Sequence, residues 1–378
     1  MKYMGSKRSM LKNGLGPLLV AESKSFKRFV DLFSGSASVS WYAARHLDLP
    51  VLTIDLQLFS AVIARAVIER VEAINSDELI TSCNCKIKEQ REQFSCWEAA
   101  KELDSSGFNT ATWCKKAKEL CNKEEFQQHL ILNAYGGHYF SPTQALTFDA
   151  IIDSLPKEEP KQSVCLAAAI IAASKCVASP GHTAQPFKAS HTAGPFLREA
   201  WKRDPLSYFN AALKDICPQH AKKKGKAKVA DAIGEISNLR ESDLVFIDPP
   251  YSGVHYSRFY HVLETIARGY CGPVSGTGRY PPLKERPASA FSRKSESLEA
   301  LQTLLRELAK VGCKVVFTFP AGECSNGLSG DILLEIAKQY YDVDKKTING
   351  RFSTLGGNNG HRDARQDSSE LLLVSRPR

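Results

Sequence analysis

The sequence predicts an α/β fold: an open, mainly parallel sheet with helices on both faces, interrupted by a long and mainly helical insert. Three stretches carry that expectation. Asp243-Leu244-Val245-Phe246-Ile247 is an unbroken apolar run, as suits a parallel strand covered on both faces, and it stops abruptly at Asp248-Pro249-Pro250-Tyr251. Phe29-Val30-Asp31-Leu32-Phe33 is a second run, giving way to the small residues Ser34-Gly35-Ser36-Ala37-Ser38 and then to a helical pattern from Val39 to His46. Val51-Leu52-Thr53-Ile54-Asp55 is a third strand, and Leu56 to Val71 again has helical periodicity.

Composition sets the outer limits. The 378 residues suffice for one large domain or two ordinary ones, and 43% hydrophobic with 24% charged residues is the balance of a globular protein with a sizeable core. The 50 basic against 41 acidic side chains leave a net charge of +9, an excess that suits a polyanionic partner. The 11 cysteines form no regular close pairs, and an odd count leaves at least one unpaired, which suits reduced thiols in a cytoplasm. Cys83, Cys85, Cys96, Cys114 and Cys121 gather near His129, but their spacing matches no standard zinc knuckle and no metal is expected. Near the N-terminus, Leu15-Gly16-Pro17-Leu18-Leu19-Val20-Ala21 is too short and too broken by Gly and Pro for a signal peptide. Val164 to Ala173 is too short to span a bilayer and reads as buried helix, so no membrane association is expected.

In chain order, Lys2-Tyr3-Met4-Gly5-Ser6-Lys7-Arg8 combines an aromatic ring, a small-residue turn and three cations, with a helical pattern continuing through Leu11, Leu15, Leu18 and Leu19. The strand, small-residue turn and helix start at 29–46 form a nucleotide-type cradle in which Ser36 and Ala37 interrupt the glycine-rich phosphate pattern, as fits a ligand without phosphates. Asp55 comes 24 residues after Asp31, near the spacing at which an acid takes ribose hydroxyls in a dinucleotide fold. From Asp55 to Asp248 runs far more chain than the roughly few tens of residues that a strand-helix-strand crossover needs.

The surplus is read as an insert over residues 76–224, with helices at Ser95–Leu103, Ala111–Leu120, Lys123–Asn133, Pro142–Leu155 and Ser163–Ala178. Lys228 to Asp231 is placed as the strand before the apolar run, and Asn238 to Ser242 turns the chain back. Lys86, Lys88, Arg91, Lys101, Lys115, Lys116, Lys118, Lys188, Arg198, Lys202 and Arg203 suit either solvated faces or a phosphate backbone. The run Lys222 to Lys228 suits either an exposed linker or a nucleic-acid contact. Beyond the apolar run, Tyr256, Arg258, Phe259, Tyr260 and His261 concentrate rings and cations of the kind that accept a flipped base and its backbone. Gly276 to Lys294 is a polar loop, Ser297 to Lys310 a helix, Cys313 to Phe319 a strand, Asp331 to Tyr340 a helix, Tyr341 to Thr347 extended and Glu370 to Ser375 a terminal strand. Gly356 to Gly360, with Arg351, His361, Arg362 and Arg365, reads as a basic loop, equally suited to a DNA clamp or to plain surface.

The tip of the apolar run carries the chemistry. An aromatic amino group is a poor nucleophile because its lone pair is delocalised into the ring. A carboxylate and a backbone carbonyl, each accepting one of its N–H bonds, favour a pyramidal nitrogen and stabilise the positive charge that develops when it attacks an electrophilic methyl group. Asp248 and the carbonyls of Pro249 and Pro250 supply such acceptors, and Tyr251 supplies a flat face for a base. Attack through a ring carbon would instead require a cysteine nucleophile, and no Pro-Cys pair occurs in the chain.

Tyr3-Met4-Gly5-Ser6-Lys7, Asp31-Leu32-Phe33-Ser34-Gly35, Asp55 and Asp248-Pro249-Pro250-Tyr251 stand in an order that resembles the Dam-type (α-class) DNA adenine methyltransferases. The resemblance covers residues 1–75 and 225–378 and is looser between them, although Tyr135-Gly136-Gly137-His138-Tyr139-Phe140-Ser141 also looks like segments of related modification enzymes. It implies a Rossmann-like class I methyltransferase sheet over 1–75 and 225–378, binding S-adenosylmethionine, with residues 76–224 as the helical target-recognition insert. Tyr3 and Lys7 would lie beside the methionine end of the cofactor; Asp31, Phe33, Gly35 and Ser36 would form the loop against it. Asp55 would hold the ribose, Asp231 would meet the adenine, and Asp248 would contact both cofactor and target amine. One position departs from the family: Ala37 stands where the loop often has a second glycine.

The same resemblance implies transfer of methyl from S-adenosylmethionine to the amino group of adenine in DNA, within a restriction-modification or phage-defence system, with a cognate restriction or defence component as a candidate partner. A cytoplasmic, nucleoid-associated location goes with it. Three other outcomes remain open on the motif alone: methylation of cytosine in DNA, methylation of RNA or a protein amide, and a catalytically silent DNA-binding relative.

Overall fold

The computed structural model describes residue 3, residues 5–353 and residues 365–378, and divides into two compact units. One comprises Tyr3–Glu72, His220–Ser257 and Pro287–Arg378; the other comprises Ala73–Gln219 and Arg258–Arg286.

The first unit is built on a seven-stranded sheet: β1 (Arg28–Asp31), β2 (Val51–Asp55), β3 (Lys226–Val229), β4 (Asp243–Ile247), β5 (Lys314–Pro320), β6 (Tyr341–Ser353) and β7 (Arg365–Pro377). Their spatial order is β3-β2-β1-β4-β5-β7-β6, parallel from β3 to β5, with β7 antiparallel to both β5 and β6. The order reverses between β1 and β4, and in open α/β sheets such a reversal opens a crevice beyond the carboxyl ends of the strands. At the opposite ends, Arg28 Nε and Nη2 donate to Asp243 Oδ1 and Oδ2 at 2.9 and 2.5 Å, locking the first residues of β1 and β4 into register.

Side-chain alternation assigns the two faces. Val30, Ile54, Val245, Ile247, Val315 and Phe317 share one core with Leu301, Leu304 and Leu308 of the helix Ser297–Val311 and Leu333 and Ile336 of the helix Gly330–Tyr340. Their neighbours in sequence point the other way: Asp31 and Thr53 meet Ser40 of the helix Ser38–His46. The unit is thus an α/β, Rossmann-like sheet with helices on both faces, as the sequence predicts.

The edge strand β3 sits two residues earlier than expected. It pairs Leu52 with Lys226 through Asp55 with Val229, and its alternating lysines belong to an edge where charge blocks further strand addition. The lysine run ahead of it is held to the end of the helix Ser38–His46 and the loop after it: Lys222 Nζ donates to the His46 carbonyl at 2.9 Å and Lys223 pairs with Asp48 at 3.2 Å.

The second unit is helical. Trp97–Ser105, Thr110–Cys121, Pro142–Asp153 and Lys161–Cys176 match expected helices to within a few residues, while Lys123–Asn133 is a short turn at Glu124–Phe126 and then the helix Leu130–Tyr135. Ser76–Glu92, Gly194–Trp201 and Pro205–Ile216 are additional. Ser76–Glu92 buries only Leu79, Cys83 and Ile87, a stripe too thin to stand out, and is started by Asn75, whose side chain accepts from the N–H groups of Asp77 and Glu78. The unit also includes His261–Arg268, a stretch that the sequence leaves with the sheet. His261 is buried against Tyr135 Oη, 3.2 Å from its Nδ1, and burial pushes its pKa down to about 3, so it is a neutral core ring. Among the described residues no helix is long and apolar enough to cross a membrane.

Candidate active site

A cleft opens at the sheet reversal, and every residue that the sequence assigns to cofactor or catalysis lines it: Tyr3, Lys7, Asp31, Phe33, Gly35, Ser36, Asp55, Asp231 and the tip Asp248 to Tyr251. Met4 and the loop Gly356–Gly360 with His361 and Arg362 lie outside the described residues.

The turn after β1 forms one wall. Asp31 is 1% exposed and accepts from Ser40 Oγ at 2.5 Å and from the Phe33 N–H at 3.3 Å, bracing the turn from below. Burial lifts its carboxyl to a pKa of about 7, against those hydrogen bonds. Gly35 has φ +48°, and a Cβ there would stand 2.7 Å from Tyr3 Oη, so glycine is required both by conformation and by the approach of the ring. Ala37 adopts φ 57°, ψ 14° without being glycine, a left-handed conformation that costs about 1 kcal/mol. Asp55 receives the Gly35 N–H on Oδ2 at 2.8 Å and the Gln57 N–H on Oδ1 at 2.9 Å. Asp231 receives the N–H groups of Ile233 and Gly234 at 3.0 and 3.1 Å.

The tip of β4 forms the other wall. Asp248 Oδ1 is 3.0 Å from Lys7 Nζ and accepts from Thr318 Oγ1 at 3.1 Å, while Oδ2 has no hydrogen-bond partner among the described residues. Lys7 is 3% exposed and also 2.8 Å from Glu370 Oε2. Burial alone would lower the Lys7 pKa, but the two carboxylates outweigh it and hold the ammonium above its ordinary range. One cation between two acids leaves a negative charge in surplus, and burial accordingly raises Asp248 to about 6 although Lys7 opposes it. The Pro250 carbonyl accepts from Asn326 Nδ2 at 3.0 Å, whereas the Pro249 carbonyl has no partner among the described residues. Tyr251 lies with its ring centroid 5.9 Å from Lys7 Nζ, and a Cβ on Gly5 would stand 2.2 Å from its hydroxyl.

Several polar groups on the walls are orphaned. Ser34 Oγ, Gln57 Oε1 and Ser292 Oγ are buried, border the cleft and have no hydrogen-bond partner among the described residues, as expected of a wall completed by a polar ligand. Gln57, Thr318 and Glu370 escape sequence reasoning. Their only signals are a polar residue two places after Asp55, a threonine inside the apolar β5, and one acid ahead of Leu371-Leu372-Leu373. Among the described residues no group of three or more His, Cys, Asp or Glu is arranged to hold a metal.

A family model described as D12 class N6 adenine-specific DNA methyltransferase matches residues 3–310. Curated relatives include the modification methylase LlaI of Lactococcus lactis subsp. lactis, 24% identical over 319 residues, which are 82% of this chain and 44% of that protein. The type II methyltransferase M.FokI of Planomicrobium okeanokoites is 25% identical over 316 residues, 81% of this chain and 43% of that protein. The modification methylase StsI of Streptococcus sanguinis is 29% identical over 117 residues, 31% of this chain and 17% of that protein. The chain therefore spans less than half the length of the curated relatives it matches.

Proposed function

The chain belongs to the D12 class N6 adenine-specific DNA methyltransferases, and on that premise we propose that it transfers a methyl group from S-adenosylmethionine to the exocyclic amino group of adenine in DNA. The observation that carries the proposal is the shared cleft: the carboxylate that ends β4 and the Gly35 turn after β1 line the same cavity, with Asp248 Oδ2 unengaged among the described residues.

The donor set fits the cofactor. A ligand with ribose hydroxyls, an adenine and a charged amino-acid end would meet Asp55, Asp231 and the orphaned hydroxyls of Ser34 and Ser292, and the small residues at 34–37 leave backbone in reach. When bound, S-adenosylmethionine supplies a methyl group activated by positive sulfur. The protein does the rest. Asp248 Oδ2 and the Pro249 carbonyl each accept one N–H of the target amine, so the nitrogen pyramidalises and its developing charge is stabilised. Tyr251 stacks on the extruded base, whose unstacking costs on the order of a few kcal/mol.

The helical unit is proposed as the target-recognition body. Arg91, Arg198 and Arg203 are consumed inside it, stacking on Trp97, donating to the Phe108 carbonyl and pairing with Glu199. Lys86, Lys88 and Lys202 stay exposed and are the better candidates for phosphate contacts. Modification within a restriction or defence system, and residence with the nucleoid in the cytoplasm, accord with such an activity. The test is transfer of labelled methyl from S-adenosylmethionine to duplex DNA by the purified chain, with Asp248→Ala as control. Label retained by DNA only with the native chain supports the proposal; no label on any duplex of varied sequence refutes it.

A further inference from the structure

Three neighbouring strands deliver one ionic bridge behind the cleft. Asp248 comes directly after β4, Thr318 stands on β5 and Glu370 on β7, where Pro320 pairs with Glu370 and Thr318 with Leu372. Lys7, arriving from the N-terminal segment, places its ammonium 3.0 Å from Asp248 Oδ1 and 2.8 Å from Glu370 Oε2. Glu370 is not among the residues that line the cavity; it stands behind Lys7 and acts on Asp248 through that shared ammonium and through its own like charge. The Lys7 ammonium, at ion-pair distance, and the Thr318 hydroxyl, as a hydrogen-bond donor, both approach Asp248 at Oδ1.

We propose that Glu370 is a positioning residue for methyl transfer: by sharing the Lys7 ammonium it holds that cation against Asp248 Oδ1 without surrendering it entirely, so that Oδ2 stays free and remains a strong acceptor for the target amine. The inference rests on the function proposed above. A carboxylate paired alone with a buried ammonium is largely neutralised and accepts weakly; a carboxylate without any cation, beside Glu370 and Asp31, protonates too readily. The shared cation sets Asp248 between these extremes. The charged and titratable groups facing Asp248 are Lys7, Glu370, Tyr251 and Asp31.

The variant is Glu370→Gln, which keeps size and removes charge. In the protein without DNA or donor, the carbon-13 carboxylate titration of Asp248 shifts down by about one pH unit, because Lys7 becomes its partner alone and the like charge of Glu370 is gone. With donor and DNA, kcat falls roughly threefold or more as the acceptor weakens, while the KM for S-adenosylmethionine moves less than about twofold. Lys7→Gln gives the opposite titration shift, upward, and in that background Glu370→Gln no longer lowers kcat. An unmoved Asp248 midpoint in both variants, or a Glu370→Gln loss that persists undiminished without Lys7, overturns the inference. Should Glu370→Gln fail to fold, the Lys7→Gln midpoint decides, and a midpoint that does not rise refutes the bridge. A native chain without transfer to DNA would instead overturn the proposed function, and the positioning role with it.

Discussion

Asp55 ends β2 and takes the N–H of Gly35 on Oδ2 at 2.8 Å, so the acid and the turn after β1 form one piece. Its other oxygen holds the Gln57 N–H at 2.9 Å. Replacing Asp55 with Ala releases the turn and removes the proposed ribose acceptor. Loss of hydrogen bonds to a charged group, each worth about 1.5–3 kcal/mol, predicts donor binding weakened roughly 10- to 100-fold in calorimetry. Native-like affinity would remove Asp55 from the donor site.

Gly5 sits at φ +74° with the Tyr251 hydroxyl 2.2 Å from where a Cβ would be. The ring cannot keep its place beside a methyl group there. Gly5→Ala is expected to lower unfolding free energy by at least about 1 kcal/mol in urea titration, from the left-handed backbone alone. Methyl transfer should fall further than donor affinity, because the displaced ring is the one proposed to stack on the base.

Arg28 and Asp243 make a two-pronged pair at the start of β1 and β4, with the Asp243 side chain 2% exposed. Asp243→Ala strands a partly buried guanidinium and is expected to cost about 3 kcal/mol of stability. Denaturant midpoints should drop while residual activity in the folded fraction persists, since the pair lies at the end of the strands remote from the cleft. Unchanged stability would show that the pair contributes nothing to the register.

Asp248 titrates near a pH of about 6, raised by burial. As pH falls through that value the carboxylate takes a proton, loses its charge and accepts weakly from the target amine. Turnover should therefore decline below about pH 6 and level off above it, a limb read from kcat at saturating donor and DNA. A profile flat down to about pH 4.5 would separate Asp248 from the rate.

The strands that build the cleft are the most legible part of the sequence. Asp243–Ile247 and Val51–Asp55 are short apolar runs with an acid at the tip, and burial on both faces leaves such runs few alternatives. Helix Ser76–Glu92 is hidden because a three-residue stripe of Leu79, Cys83 and Ile87 sits in an otherwise polar segment. β3 lies two residues from its expected place because an edge strand of alternating lysines has no apolar signature. In the cleft, most lining residues that are proposed to meet a ligand come in local motifs. Glu370 does not: its meaning depends on Lys7 at the other end of the chain, brought together only by an antiparallel return of the last strand.

DNA methylated by the purified chain with S-adenosylmethionine, digested to nucleosides and resolved by mass spectrometry, should contain N6-methyladenine, and none when Asp248→Ala replaces the native chain. Methyl recovered on cytosine, or adenine methylation undiminished in Asp248→Ala, would contradict the account.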